Sequence, residues 1–318
     1  MPQPLLSIVI PTREGFSDHW ITELLKVKGD VEFILIHPPG AKPYPTDDAR
    51  MKQIVSSLRG EIIQRITGFM NATAPHVLTI NCDEYLHPDI QELAVNYFNR
   101  FPDSWVLRLS KQGYVYGDTS ALSSHWLPLP NIHYMKTCSK AERTSHLFGQ
   151  KDYLLDLPIA PLENKFNPIC LLGQRLDQSG NHVENFDKKI WKNSLVQTAI
   201  KEITDLMSLG GPIKYIPFWC LDRLLGLYIQ AKFYEKDKII GHWLPLPEQI
   251  RIEDNPPEYK RTKRFYFIAE VMLLKSFPQY GYLWNLILCQ VTSVPIRAFD
   301  SVKRKISRPL SVESSLTS

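Results

Sequence analysis

The chain has 318 residues, 44% of them hydrophobic and 22% charged, with a formal charge of +4 at neutral pH. That composition excludes a disordered or fibrous chain and suits one large α/β domain with an extension. The charge is uneven: from Glu258 onward there are ten basic and four acidic residues, against 27 and 29 before it.

The five cysteines, Cys82, Cys138, Cys170, Cys220 and Cys289, are far apart and form neither a CxxC pair nor a zinc spacing. Such a set fits a reducing compartment. No basic stretch precedes an apolar run near the start, so no signal peptide is expected. No apolar run reaches the roughly 18 residues that suggest a transmembrane helix.

In chain order, Leu5–Ile10 is a continuous apolar run ended by Pro11, as a buried parallel strand would be. Asp18–Lys28 reads as a helix with Trp20, Ile21, Leu24 and Leu25 on one face and Gly29 as its stop. Val31–Ile36 is a second strand, closed by His37-Pro38-Pro39-Gly40. Gln53–Ser56 fits a short strand, yet Met51, Ile54, Val55 and Leu58 also fit helical spacing. Glu61–Ala72 is helical in pattern, Val77–Ile80 a strand, Pro88–Phe98 a helix and Trp105–Leu109 a strand. This alternation predicts an α/β fold with a mostly parallel sheet.

Gly113–Asn167 is loop-rich and aromatic, as the substrate side of a site often is. Lys192–Leu209 and Leu221–Tyr234 read as helices, with a strand expected at Ile213–Phe218. A Pro-rich break is expected at Leu244–Pro257, then an apolar piece over Lys263–Val294 and a disordered tail from Ser307 to Ser318. The hexapeptide His125-Trp126-Leu127-Pro128-Leu129-Pro130 recurs at His242–Pro247, which is too little repetition for a solenoid.

Two segments bear the chemistry. Ser7-Ile8-Val9-Ile10-Pro11-Thr12-Arg13-Glu14 and Leu78-Thr79-Ile80-Asn81-Cys82-Asp83-Glu84 each run from a buried strand into a polar loop. Ligands of open α/β sheets sit beyond such strand ends. Walker A, Rossmann glycine, His-Glu-x-x-His and Gly-x-Ser-x-Gly patterns do not occur.

These segments resemble glycosyltransferase family 2, enzymes of the GT-A fold. Ser7–Thr12 is similar to that family's first strand. Arg65, Gly68 and Ala72 match its Ala-Arg-Asn-x-Gly-x-x-x-Ala-x-Gly helix, and the interval then puts Asn81-Cys82-Asp83-Glu84 on its Asp-x-Asp motif. The resemblance spans residues 5–110. It implies a GT-A-like domain over 1–245, with a nucleotide-sugar half at 1–110, an acceptor half at 111–245, and a basic helical extension at 246–318. It also implies sugar transfer from a nucleotide-sugar donor to a hydroxyl of a glycan, lipid or envelope precursor, with inversion.

In such enzymes a hard divalent cation, Mn²⁺ or Mg²⁺, is held by carboxylates and neutralises the leaving diphosphate. The resemblance gives that role to Asp83 and Glu84, with His242 as a further candidate. It assigns donor contacts to Pro11, Thr12, Arg13, Glu14, Arg65, Asn81 and Asp83. Arg65 could equally pair with a neighbouring acid, and Asp83 and Glu84 could cap a following helix. The general base is expected at Asp222, before an apolar helix, or at Asp187 in Glu184-Asn185-Phe186-Asp187.

Three polar family positions differ: His37 closes the second strand, Ile66 follows Arg65, and Asn81 replaces the first aspartate. A non-catalytic nucleotide-sugar or glycan binder, or a peripheral membrane scaffold, therefore stays open. The apolar Tyr280–Phe299 beside Lys303, Arg304, Lys305 and Arg308 fits either an anionic bilayer or packing on the domain. A cytoplasmic chain, peripheral at the inner face of the membrane, is the expectation; nucleic acid is not an expected partner.

Overall fold

The computed structural model describes residues 3–139, 153–172, 182–208, 218–256 and 266–291. The basic cluster from Lys303, the tail from Ser307 and all but the last residue of the strand expected at Ile213–Phe218 lie outside them. Two compact units divide the chain: Met1–Ala160 with Gly180–Arg264, and Pro161–Ser179 with Phe265–Ser318.

The first unit is a mixed α/β structure. Its strands are β1 (Leu6–Pro11), β2 (Val31–His37), β3 (Met51–Val55), β4 (His76–Thr79), β5 (Glu84–Leu86), β6 (Val106–Arg108), β7 (Lys111–Tyr114), β8 (Lys136–Cys138), β9 (Tyr153–Pro158), β10 (Lys189–Lys192), β11 (Ile239–Trp243) and β12 (Ile250–Glu253). Its helices are α1 (Asp18–Leu24), α2 (Glu61–Met70), α3 (Ile90–Arg100), α4 (Thr119–Leu122), α5 (Asn193–Ser208) and α6 (Phe218–Lys232). Nine strands form one mostly parallel sheet in the order β3-β2-β1-β4-β10-β6-β11-β9-β8. β10 runs antiparallel to both β4 and β6. A second sheet has the order β5-β12-β7.

β1 is a continuous apolar run because both of its faces are covered. Leu6, Ile8 and Ile10 join a core with Trp20, Ile21 and Leu24 of α1 and Leu93 and Tyr97 of α3. On the other face α2 lies against β1 and β2, with α5 and α6 beside it. The ambiguous segment after Asp48 is a strand, since β2 offers it an open edge and Phe33 pairs with Met51. α1 ends at Leu24, short of the expected Lys28, because Lys26 and Val27 make tighter i→i+3 bonds before Gly29 turns at φ 89.

Within the described residues 244–256, the expected Pro-rich break contains a strand. Its β12 is held between β5 and β7, with Ile250 opposite Leu86 and Lys111. The buried Arg251 of this strand lies 3.8 Å over the Trp126 ring and donates to the carbonyls of Leu122, Ser124 and His125.

In the second unit, α7 (Phe267–Ser276) is followed by a helix over residues 281–291. Ala269, Leu273, Tyr282 and Leu283 are buried, while Ile268, Val271 and Trp284 are exposed. Among the described residues no helix is long and apolar enough to cross a membrane.

Gly68 has a steric purpose. A Cβ there would sit 2.3 Å from Val9 Cγ1 and 3.3 Å from Ile36 Cγ1, so glycine sets how closely α2 approaches the sheet. Gly68→Ala should destabilise the chain by about 1–3 kcal/mol through overpacking. A urea unfolding midpoint equal to that of the wild type would refute this.

Candidate functional site

β1 and β4 are parallel neighbours, with Val9 opposite Thr79, so the loops leaving their carboxyl ends share one edge of the sheet. The second of these loops is a tight turn: Glu84 N–H donates to the Asn81 carbonyl at 3.1 Å, leaving Cys82 and Asp83 at the tip. The Asp83 carbonyl in turn accepts from Glu253 N–H of β12 at 3.1 Å.

The two residues that bound this turn are engaged within the protein. Arg65, 1% exposed, donates to Glu61 Oε1 at 3.0 Å and to the Thr79 hydroxyl and the Asn81 side-chain oxygen. Arg65 therefore has the ion pair that the sequence left as one of its two readings. Asn81 N–H and Nδ2 donate to the two oxygens of Glu84, at 3.0 and 3.3 Å. Buried Glu84 also receives Lys188 Nζ at 3.0 Å. Glu84 stands in a strand and closes the turn; it does not cap a helix.

Asp83 differs from both. Its Oδ1 is buried and has no hydrogen-bond partner. Burial, together with the charge of Glu84, raises its pKa to about 6, while Arg13 opposes the rise. Arg13 itself is exposed, on the loop after β1. A buried carboxylate oxygen without a partner, within the field of a cation, is one oxygen that a hard divalent ion could take as a ligand.

The rest of that first loop is tied to the sheet. Buried Thr12 contacts His37 Nδ1 at 2.8 Å, and His37 Nε2 lies 2.8 Å from Gln53 Oε1. Gln64 Nε2 donates to the carbonyls of Thr12 and Ile36 at 2.9 and 2.7 Å. Pro11 is the last, buried residue of β1. Glu14 makes a surface pair with Arg59 at 3.7 Å.

Asp187, one of the two acids expected as general base, is linked to the acidic turn through one lysine. Lys188 Nζ lies 3.0 Å from Glu84 Oε1 and 2.9 Å from Asp187 Oδ2. Burial works against its charge, but the two carboxylates outweigh it and raise its pKa. The preceding Phe186 is packed against Phe69 of α2 and stacked on Trp191 of β10, with ring centroids 5.2 and 5.1 Å away. Asp222 lies beneath this segment, 2% exposed, and its Oδ1 accepts the Phe186 and Asp187 N–H groups, each at 2.7 Å. Burial first, then the charge of Asp187, raises the Asp222 pKa, while Lys189 and the two amides oppose the rise. Gly226 lets α6 come this close: a Cβ there would sit 2.4 Å from the Glu184 carbonyl oxygen.

No family model matches the sequence, and no curated protein matches it. Among solved structures, the chain is similar to residues 1–349 of S. aureus TarS in complex with UDP-GlcNAc, at 13% identity and a TM-score of 0.49, covering 85% of this chain and 66% of that one. The same protein with UDP gives 15% identity and a TM-score of 0.45, covering 85% and 65%. The chain spans 39% of the longer TarS structure. A mannosyltransferase from Pyrobaculum calidifontis, PcManGT, solved with GDP-Man and Mn²⁺, gives 12% identity and a TM-score of 0.43, covering 96% and 80%. All lie below 0.5, so the α/β architecture described here rests on the strand order itself.

The expected metal set of Asp83, Glu84 and His242 does not converge. Among the described residues no group of three or more His, Cys, Asp or Glu side chains is placed to hold a metal. His242 sits within β11, its Nδ1 2.8 Å from Tyr97 Oη and its ring 4.3 Å from that of Phe101. Burial, helped by Arg100, pushes its pKa down to about 4. Sequence reasoning missed Lys188 and β12: Lys188 meets Glu84, and β12 meets β5, across separations of about 100 residues or more.

The raised pKa of Asp83 predicts a pH effect. Between about pH 4 and 6 the folded chain keeps a proton that the unfolded chain has lost, so this residue costs stability increasingly as pH rises. Asp83→Asn should therefore stabilise the ligand-free protein by roughly 2 kcal/mol above about pH 6, with the gain fading towards pH 4. Melting curves across that range decide it; a variant no more stable than wild type at pH 8 contradicts the account.

Proposed function

We propose that the chain is a GT-A-type glycosyltransferase that moves a sugar from a nucleotide-sugar donor to a hydroxyl acceptor, with inversion. The observation that carries this reading is the unpaired, buried Oδ1 of Asp83 at the shared end of β1 and β4, where the charge of Arg13 acts on it. The registered resemblance over residues 5–110 supports it.

One carboxylate fits a divalent cation, because Mg²⁺ and Mn²⁺ are commonly held by one or two carboxylates with phosphate oxygens and water. Asp83 would hold the ion, which when bound would neutralise the diphosphate leaving group. Asn81 and Glu84 are not ligands in this reading; they shape the turn that presents Asp83. Arg13 adds a positive charge on the phosphate side.

The base must reach the acceptor hydroxyl. Asp187, with its side chain 20% exposed, satisfies this better than the enclosed Asp222. The hydroxyl oxygen would attack the anomeric carbon, its proton would pass to Asp187, and the nucleoside diphosphate would leave on the opposite face. Asp222 supports the loop that carries Asp187.

A second reading, a non-catalytic nucleotide-sugar binder, is favoured by the loss of the first carboxylate at Asn81 and the engagement of Glu84 by Lys188. Thermal shift with UDP-, GDP-, dTDP- and CMP-sugars, with and without Mn²⁺, should show Mn²⁺-dependent stabilisation by one donor class. Asp83→Asn should remove that dependence, and Asp187→Asn should slow transfer by about 10²–10⁴-fold while leaving donor binding intact. Stabilisation by none of the donors rejects both readings; binding without any turnover in the wild type selects the binder.

The same proposal places the chain on the cytoplasmic side, with the second unit against an anionic bilayer. Exposed Ile268, Val271 and Trp284, and the basic sequence Lys303-Arg304-Lys305, support it. Replacing those three basic residues by Gln should weaken co-sedimentation with phosphatidylserine vesicles by about 100-fold, at ~1 kcal/mol per charge. Undiminished co-sedimentation would rule the attachment out.

A further inference from the structure

We propose that Lys188 is a positioning residue, one ammonium that locks the donor-side turn and the acceptor-side base in a single geometry. This rests on the function proposed above and names a residue with no counterpart in the motifs that led to it.

The backbone gives the first indication. Lys188 has φ 57, a left-handed conformation that side-chain-bearing residues rarely adopt and that often marks a functional constraint. The segment around it is fixed on both sides. Asp222 Oδ1 holds the amides of Phe186 and Asp187. Lys189 Nζ holds the carbonyls of Asn185 and Asp187 at 2.7 and 2.9 Å. Adjacent lysines thus serve different partners: Lys189 binds the backbone of its own loop, and Lys188 reaches across to β5.

The side chain gives the second. Lys188 joins Glu84 Oε1 at 3.0 Å and Asp187 Oδ2 at 2.9 Å. Glu84 is the residue whose two oxygens receive the Asn81 amides and close the turn that presents Asp83. A change in the Lys188 ammonium is therefore felt at both ends. By fixing one oxygen of Asp187 it sets the direction of the whole carboxylate, and by fixing Glu84 it steadies the loop that carries Asp83. Misplacement of such groups by an ångström is enough to cost a reaction about 100-fold in rate.

The test measures turnover of UDP-GlcNAc and GDP-mannose with Mn²⁺ by the full chain, as wild type and as Lys188→Met, Lys188→Gly and Lys188→Arg. Lys188→Gly relieves the left-handed backbone while removing the ammonium, so it separates the charge from folding. For whichever donor the wild type turns over, Lys188→Met and Lys188→Gly should lose about 100-fold in kcat with donor KM changed less than threefold. Lys188→Arg, which keeps a cation in reach of both acids, should recover most of that loss. If folded Lys188→Gly turns over as fast as wild type, or if the loss appears in KM alone, the positioning role is wrong. If the wild type turns over neither donor and thermal shift finds no other that binds, the function proposed above fails, and this inference with it. The two failures are distinct, because one is seen in the variants and the other in the wild type.

Discussion

The parallel register of β1 and β4 is the constraint on which the site depends. Because Val9 lies opposite Thr79, both chains leave the sheet at the same level, and their polar loops must share one edge. The Arg65 side chain reinforces this. A buried guanidinium with unmet donors would be costly, and its partners Glu61, Thr79 and Asn81 lie on α2, at the end of β4 and at the start of the acidic turn. The helix, the strand end and the turn are therefore fixed together by one side chain.

Within that frame the acids divide by environment. Glu84 and Asp222 are buried and engaged within the protein, one by Lys188 and the Asn81 amides, the other by two backbone N–H groups on its Oδ1. They hold structure. Asp83 carries a buried oxygen with no partner, and Asp187 keeps part of its surface open to solvent. A buried carboxylate oxygen without a partner lowers stability. The second sheet completes the arrangement, since β12 pairs with β5 and accepts the task of holding the Asp83 carbonyl.

Much of the N-terminal half was legible in advance. The apolar runs at β1, β2 and β4 read as strands, and the family resemblance, in register from Arg65 to Asn81, located the acidic turn. Gly68 was visible as a motif position, and its reason, the approach of α2 to Val9, is a packing fact. The segment after residue 110 was harder. Asp222 and Asp187 look alike as acids near apolar segments, and burial separates them. His242, a further metal candidate by the resemblance, is a strand residue packed against Tyr97 and Phe101.

The sequence alone determined the alternation of strands and helices and the position of the two strand-end loops, because periodicity, prolines and glycines act locally. The tertiary structure decided which acids are engaged and which are not. It paired Lys188 with Glu84, inserted β12 between β5 and β7, and buried Asp222 under Phe186. Those outcomes follow from partners distant in sequence, whose charges and hydrogen bonds meet only after the sheet has closed on its register.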